Sequence, residues 1–192
     1  MIRKILPFAV IIAAASFVFA GASLPAVGSP MKTFYLPDFN AQQEGRSTFV
    51  SLKTLAAKNK VVVFSFFYSS CKNCKNEIPA VQKIVSEYTN KGVALLFVCA
   101  EPVDVNNGES WTTDGVARVQ KVITEWNITY PIVDDHYLNA ATAYGVFDEK
   151  TRVIHAPALF MVSGSKIQFA HSGWEGEKSA EEVEAAIKRL LK

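Results

Sequence analysis

Two cysteines in the first half of the chain have the spacing of a redox-active dithiol. Cys71 and Cys74 enclose the dipeptide Lys72-Asn73 and follow the apolar run at residues 61–67. Thiols this close together can form a disulfide and open it again by exchange with another dithiol. A loop of this size constrains the unfolded chain little, so a purely structural bridge would add little stability. The spacing therefore favours electron transfer over structural cross-linking.

The dithiol lies where a predicted strand ends and a predicted helix begins. Residues 60–67 form a continuous apolar run, which is typical of a strand covered on both faces. A helix is expected from about Cys71 to Thr89, because apolar residues recur there at helical spacing. At a helix N-terminus, free N–H groups and the helix dipole stabilise a thiolate. We therefore expect Cys71 to be the exposed attacking thiol and Cys74 the more buried thiol that resolves the mixed disulfide.

The rest of the chain alternates between strands and helices. Further strands are predicted at residues 93–99, 131–133, 158–162 and 166–171, and further helices at 114–126, at 138–144 and at the C-terminus. The sequence Ser179-Ala180-Glu181-Glu182 has the pattern of a capping box and predicts the start of the last helix. Residues 31–58 are expected to form a short N-terminal extension in which Ser51 caps a helix. This order predicts an α/β fold with a central mixed sheet flanked by helices on both faces.

The N-terminus has the features of a secretory signal peptide. A short basic start precedes an uncharged apolar run, residues 5–22, that ends in Ala20-Gly21-Ala22. We expect residues 1–22 to be cleaved off, which leaves residues 23–192 as one periplasmic or otherwise extracytoplasmic domain. The alternative is that residues 5–22 remain as a membrane tether.

The net charge and the number of cysteines restrict the classes of function and the possible disulfide pairing. The chain of 192 residues has a formal net charge of +2 and no basic stripe, so nothing supports nucleic-acid binding. With three cysteines, one must stay outside any internal pairing. Cys99 ends the apolar run at residues 93–99, and we interpret it as a small buried core residue.

These features resemble the thioredoxin superfamily, and within it the TlpA/ResA-like thiol-disulfide oxidoreductases of the bacterial cell envelope. The motifs that carry the resemblance are Leu36-Pro37-Asp38-Phe39, Cys71-Lys72-Asn73-Cys74, Glu77, Pro79, Tyr144-Gly145-Val146 and Pro157. The resemblance covers roughly residues 35–190 and implies a thioredoxin-like fold. It also implies a protein thiol-disulfide oxidoreductase that needs no cofactor beyond its own Cys71–Cys74 disulfide.

The resemblance implies further site residues. Glu77 matches an acid typical of the ResA-like branch, and it is expected to be partly buried and to transfer the proton of Cys74. The alternative is a solvated residue early in the helix. Pro157 matches the cis-proline of the family, so Ala156 would offer main-chain groups to an extended segment of a partner.

The chain also departs from the family pattern. Ser70 stands before the first cysteine, where the family usually has tryptophan, and Lys72-Asn73 lacks the common proline. The stretch Phe147–Ala156 is longer than usual and lies ahead of the expected cis-proline. The partners that the resemblance implies are proteins with thiols or disulfides, apocytochrome c first among them, and an electron donor in the membrane.

Two other functions remain open from the residues alone. His155 is close in sequence to Pro157, so Cys71, Cys74 and His155 could form the site of a copper or zinc carrier. A peroxiredoxin-like peroxidase is the other alternative. It is disfavoured because Tyr68 stands three residues before Cys71, where such enzymes carry threonine.

Overall fold

The computed structural model describes residues 23–46, 48–103 and 108–192 of the chain. The predicted signal peptide, residues 1–22, lies outside the described residues, so its cleavage stays a prediction. Within the described residues, no helix is both long enough and apolar enough to cross a membrane.

The described residues alternate between strands and helices as the sequence predicts. The strands are β1 (Tyr35–Pro37), β2 (Phe49–Ser51), β3 (Val61–Phe67), β4 (Val93–Cys99), β5 (Ile132–Asp134), β6 (Phe147–Asp148), β7 (Val153–Ile154), β8 (Ala158–Ser163) and β9 (Lys166–Ser172). The α-helices are α1 (Phe39–Gln43), α2 (Leu52–Lys58), α3 (Lys72–Ser86), α4 (Val116–Glu125), α5 (Asn139–Ala143) and α6 (Glu177–Leu190).

The central sheet has the strand order β5-β4-β3-β8-β9. Strands β3, β4 and β5 run parallel to one another, whereas β8 pairs antiparallel with β3 and with β9. The predicted α/β fold with a central mixed sheet is therefore confirmed. The carboxyl end of β3 leads to the dithiol, and open α/β sheets place their sites at this end of their strands.

The residues of β3 explain its central place. All seven residues of Val61–Phe67 are buried. Val63 and Phe67 belong to a core cluster with residues of α3, α4 and α6, whereas Phe64 and Phe66 belong to a second cluster with residues of α2 and α5. Because successive strand side chains point to opposite faces, an apolar run of this kind needs helices on both sides.

The N-terminal extension packs as a strand pair with two short capped helices. Strands β1 and β2 are antiparallel. The Ser51 hydroxyl accepts a hydrogen bond from the N–H of Thr54, so the predicted cap of α2 is confirmed. Asp38 does the same for α1, because its carboxylate accepts from the N–H of Ala41 at 2.9 Å.

Two helix boundaries differ from the predicted ones. Helix α3 ends at Ser86, and a short 3₁₀ turn at Thr89–Lys91 follows it. Gly92 closes this turn with a φ of 88°, a left-handed conformation that favours glycine. Helix α4 begins at Val116, after a π-helical turn at Trp111–Gly115 that the polar sequence does not indicate.

The predicted capping box of the last helix is wrong. Helix α6 begins at Glu177, so Ser179 lies within its first turn. The buried Ser179 hydroxyl accepts from the N–H of Glu175 at 2.8 Å and lies 3.1 Å from Nε2 of His171. The hydroxyl is therefore used in packing the turn before the helix against β9, and no side-chain cap remains at Gly176.

The long stretch ahead of the proline contains a hairpin that the sequence interpretation missed. Strands β6 and β7 pair antiparallel inside Phe147–Ala156. The Asp148 carboxylate accepts from the N–H groups of Lys150 and Thr151 at 2.8 and 3.2 Å, which closes the turn. Two-residue strands with a mixed polar sequence give too little periodicity to be predicted.

Candidate active site

Cys71 and Cys74 form a disulfide at the start of α3. Their sulfur atoms are 1.99 Å apart and their Cα atoms 5.3 Å apart. Cys71 is the N-cap residue of the helix, and its sulfur accepts a hydrogen bond from the N–H of Cys74 at 3.2 Å. The first turn of α3 thus offers a backbone donor to the sulfur that would become a thiolate on reduction.

Cys71 is buried, contrary to the expectation of an exposed attacking thiol. Its exposed fraction is 3%, and that of Cys74 is 0%. Both belong to the same apolar core cluster, which also contains residues of β3, β4, α4 and α6. The neighbouring side chains of Ser70, Lys72 and Asn73 are exposed, so they form the protein surface around the buried dithiol.

Glu77 is buried on the helix that carries the dithiol. Its exposed fraction is 1%, so it is not the solvated helix residue that was the alternative. Burial raises the pKa of Glu77 from 4.5 to about 8, and a hydrogen bond from Ser65 opposes part of this rise. Because residues three apart on a helix share a face, Glu77 and Cys74 are neighbours along α3. Its role in proton transfer stays a prediction.

Ser65 is a site residue that the sequence interpretation missed. Its hydroxyl donates to Oε1 of Glu77 at 2.7 Å, across the interface between β3 and α3. The signal was a single hydroxyl residue inside an otherwise apolar strand. A buried hydroxyl needs a hydrogen-bond partner, and the helix that follows the strand is the nearest place to look for one.

The Ala156–Pro157 peptide bond is cis, as the resemblance implies. Pro157 is buried and starts the chain into β8, and its carbonyl accepts from the N–H of Gly173 at 2.9 Å. Ala156 is half-buried and packs against the cluster that contains both cysteines of the disulfide. The binding of a partner segment by these two residues stays a prediction.

Glu101 fixes the turn that leads into the dithiol. Its carboxylate accepts from the N–H and the hydroxyl of Ser69 at 2.6 and 2.7 Å, two residues before Cys71. Arg118 of α4 donates to the same carboxylate at 2.7 Å, and Glu101 is only 2% exposed. The sequence does not indicate this role of Glu101, because no local pattern shows which donors a carboxylate will meet.

A cavity of about 540 Å³ lies beside Glu101. Its lining includes Trp111 and His136, whose rings stack with their centres 5.1 Å apart. The β6–β7 hairpin contributes Phe147 and Arg152, with the guanidinium above the Phe147 ring at 5.1 Å. The long stretch ahead of the cis-proline thus shapes a cavity next to the turn that carries the dithiol.

Removing the Glu101 carboxylate is expected to destabilise this turn. Glu101→Ala leaves the part-buried N–H and hydroxyl of Ser69 without their acceptor and removes the buried partner of Arg118, so we expect a loss of about 2–4 kcal/mol in the free energy of unfolding. Urea unfolding of the oxidised protein measures it. Glu109→Ala is the matched control, because this second partner of Arg118 is 35% exposed and its loss should cost less than about 1 kcal/mol. Equal losses in the two variants would contradict the anchoring role of Glu101.

The described residues give no support to the metal-carrier alternative. His155 is exposed, and its N–H donates to the carbonyl of Val146 at 2.7 Å. In the described parts of the chain, no group of three or more His, Cys, Asp or Glu residues could hold a metal ion. The predicted set of Cys71, Cys74 and His155 is therefore not brought together as a ligand cluster.

Cys99 lies in the core at the end of β4. It is fully buried and free, and burial raises the pKa of its thiol well above the ordinary value. A buried thiol with a raised pKa is a poor nucleophile. The interpretation of Cys99 as a core residue is therefore confirmed.

Comparison with known proteins shows the family of the chain. The model of the AhpC/TSA family matches residues 27–170. The chain belongs to the AhpC/TSA family. The thiol-disulfide oxidoreductase ResA of Halalkalibacterium halodurans is 28% identical over 170 residues, which cover 88% of this chain and 82% of that protein.

Solved structures of differently named proteins show the same fold. A crystal structure from Chlorobium tepidum, described as a putative thiol:disulfide interchange protein DsbE, has a TM-score of 0.66 at 20% identity and covers 88% of this chain and 100% of that one. The peroxidoxin BcpB of Mycobacterium tuberculosis has a TM-score of 0.59 at 17% identity and covers 86% of this chain and 93% of that one. At these identities the likeness concerns the fold alone.

The predicted class of enzyme is confirmed by the fold, the disulfide and the relatives taken together. The protein is a thioredoxin-like thiol-disulfide oxidoreductase, and it carries a Cys71–Cys74 disulfide in a CxxC motif. The predicted resemblance to the ResA-like branch is confirmed as well, because the curated relatives of this family member include ResA proteins.

Proposed function

We propose that the protein is an exported reductant of disulfides in envelope proteins, with the cysteines of apocytochrome c as the leading target. The observation that carries the proposal is the Cys71–Cys74 disulfide at the N-terminus of α3, where Cys71 accepts a backbone N–H. The resemblance to ResA-like proteins supports the direction of electron flow and the choice of target.

The first step is the attack of Cys71 on the disulfide of the partner. The electron pair of its thiolate forms a new S–S bond, and the other sulfur of the partner leaves as a thiolate. The hydrogen bond from the N–H of Cys74 and the N-terminus of α3 favour the thiolate form of Cys71. The product is a mixed disulfide between Cys71 and the partner.

Cys74 resolves the mixed disulfide in the second step. Glu77, as a carboxylate, takes the proton of the Cys74 thiol, and the Cys74 sulfur attacks Cys71. The bond between Cys71 and the partner breaks, and the second sulfur of the partner leaves as a thiolate. The partner is then reduced, and the enzyme holds the Cys71–Cys74 disulfide.

An electron donor must restore the dithiol before the next cycle. When a donor thiolate opens the disulfide, Cys74 leaves and needs a proton. With a pKa of about 8, Glu77 of the oxidised protein is protonated at neutral pH and can supply this proton. One buried carboxyl thus serves both halves of the cycle, because it gives its proton in one half and takes it back in the other.

Ala156 and Pro157 are proposed to hold the partner. The cis bond and the position of Ala156 beside the cysteine cluster support a role in which main-chain groups of Ala156 pair with an extended segment. The cavity lined by Phe147 and Arg152 lies beside Glu101, which binds the turn before Cys71, and this supports a contribution of the β6–β7 hairpin to the partner surface.

The proposed location is the periplasm or another extracytoplasmic compartment. It rests on the signal peptide at residues 1–22, which would be removed or would tether the domain through residues 5–22. The donor would lie in the membrane, where it reaches an exported domain. No nucleic acid and no cofactor other than the redox disulfide enter the proposal.

A redox titration of the Cys71–Cys74 pair tests the direction of electron flow. Cys99→Ser removes the spare thiol, and graded dithiol buffers then set the fraction of oxidised protein. A dedicated reductant is expected to have a potential near or below about −270 mV, the value of thioredoxin.

Other results of the titration contradict the proposal. A potential near about −120 mV, the range of DsbA, would indicate an oxidant or isomerase. No reversible disulfide at all would exclude dithiol exchange. In that case stoichiometric copper in the reduced protein, lost on His155→Ala, would establish the carrier instead.

A further inference from the structure

The buried contact between Ser65 and Glu77 is the feature that leads beyond the proposed cycle. Ser65 lies in the middle of β3, and all residues of this strand are buried. It lies two residues from Val63 and from Phe67, so the three side chains share one face of the strand. Val63 and Phe67 pack in the cluster that contains Cys74. Ser65 therefore faces the helix that carries the dithiol, at a point of the core where a hydroxyl needs a partner.

The contact distinguishes the two oxygens of the Glu77 carboxyl. The Ser65 hydroxyl has one proton and donates it to Oε1 of Glu77 at 2.7 Å. Oε2 is buried as well, and among the described residues it has no hydrogen-bond partner. In a protonated carboxyl the carbonyl oxygen is the one that accepts, so the proton belongs on Oε2.

The side chains of Cys74 and Glu77 share a face of α3, because they are three residues apart. Helical side chains lean toward the N-terminus of their helix, so the carboxyl of Glu77 leans back toward the turn that holds Cys74. A buried polar atom without a partner is costly and calls for an explanation. Exchange of a proton with the Cys74 thiol explains it, because that partner appears only when the disulfide opens.

We propose that Ser65 is a positioning residue for proton transfer between Glu77 and Cys74. Its hydrogen bond to Oε1 holds the carboxyl and leaves Oε2 as the atom that exchanges the proton with the Cys74 sulfur. The inference rests on the proposed function, because it deepens the part that Glu77 has in that cycle.

The step balances with groups that the cycle contains. Oε2 of Glu77 takes the proton from Sγ of Cys74, and the electron pair left on this sulfur forms the bond to Cys71. The bond between Cys71 and the partner breaks, and the partner sulfur takes that electron pair and leaves as a thiolate. The enzyme dithiol is oxidised by two electrons and the partner disulfide is reduced by two.

The pKa of Glu77 can be used to measure the Ser65 contact, because few other groups influence it. Burial and the Ser65 hydrogen bond set the pKa of Glu77, and no charged side chain of the described residues adds to it. The titrating groups beside it are the thiols of Cys74 and Cys71 on its own helix, and β3 presents the uncharged Ser65. Loss of the hydroxyl should therefore raise the pKa of Glu77 further, because the hydrogen bond lowers it.

The test is the pH profile of the resolving step in Ser65→Ala and Ser65→Thr. A preformed mixed disulfide between Cys71 and a small aromatic thiol is used, and release of the thiol is followed in stopped flow. We expect Ser65→Ala to move the inflection to higher pH and to slow release about tenfold at pH 7, and to leave a smaller deficit above the inflection because the carboxylate is no longer held in place. Ser65→Thr keeps the hydroxyl and should keep the wild-type inflection.

Two controls separate positioning from a structural effect. In the Glu77→Gln background, Ser65→Ala should not move the pH profile, since no carboxyl remains to be positioned. The infrared C=O band of protonated Glu77, identified by its loss in Glu77→Gln, should lie at a higher frequency in Ser65→Ala than in the wild type. This second readout needs only the folded oxidised protein.

Each contrary result has a distinct meaning. If Ser65→Ala slows release equally at every pH, or shifts the profile equally in the Glu77→Gln background, the positioning role is wrong while the proposed cycle stands. If the C=O band does not move, the hydrogen bond itself is excluded. If Glu77→Gln has no effect on release at any pH, the proposed role of Glu77 fails and the inference fails with it.

Discussion

Cys74→Ser is expected to stop turnover and to trap the partner on Cys71. The Cys71 thiolate still attacks the partner disulfide, but no second thiol remains to break the mixed disulfide. Turnover of a protein disulfide should fall by several orders of magnitude, and a covalent adduct should accumulate. Non-reducing electrophoresis measures the adduct, and loss of the substrate disulfide measures turnover.

The matched controls are single substitutions of the other two cysteines. Cys71→Ser should abolish both turnover and the adduct, because Cys74 is fully buried behind the first thiol. Cys99→Ser should change neither, because that thiol is buried at the end of β4 and has a raised pKa. An adduct that forms on Cys74 in the Cys71→Ser protein would reverse the assignment of the two roles.

Glu77→Gln is expected to slow the resolving step and to flatten its dependence on pH. The wild-type rate should rise with pH through about 8, as Glu77 becomes the carboxylate that takes the Cys74 proton. Without this base the rate above pH 8 should be about 10²-fold lower, and only the titration of the thiols should remain. Rapid-mixing measurements of thiol release between pH 6 and pH 10 test this.

The same substitution should change how stability depends on pH. Because the pKa of Glu77 is raised from 4.5 to about 8, the folded protein binds more protons than the unfolded chain between these values. The contribution of Glu77 to the free energy of unfolding is therefore fully present below about pH 4.5. It falls as the pH rises toward 8, by an amount on the order of a few kcal/mol. Glu77→Gln should lack this fall. If the free energies of unfolding of the two proteins changed with pH in the same way from pH 5 to pH 9, a raised pKa of Glu77 would be excluded.

Much of the fold could be predicted because it depends on near neighbours in the chain. The apolar run of β3, the helical spacing in α3 and the Ser51 cap are local patterns, and each was found within a few residues of its predicted place. The capping box at Ser179 shows the limit of this reasoning. A hydroxyl that fits a local motif was instead used by a tertiary contact with His171 and Glu175.

Some residues of the candidate site could also be predicted from the sequence, whereas others are brought together only by the fold. Cys71 and Cys74 were found from their spacing, and Glu77 and Pro157 from the resemblance. Ser69 and Glu101 are 32 residues apart, and no local pattern predicts the hydrogen bonds between them. Their contact depends on how β4 pairs with β3, which fixes the positions of the segments that follow the two strands.

The class of fold, the cysteine pair and its place at a strand–helix junction could be predicted from the chain alone, because periodicity, capping and a short cysteine spacing are local properties. Two properties depend instead on how the helices and strands pack: Cys71 is buried in the oxidised protein, and Glu77 is enclosed with Ser65 as its partner. The physical reason is that burial and pKa depend on how closely α3 docks on β3. Side chains distant in sequence set that docking, and no window of the chain contains them all.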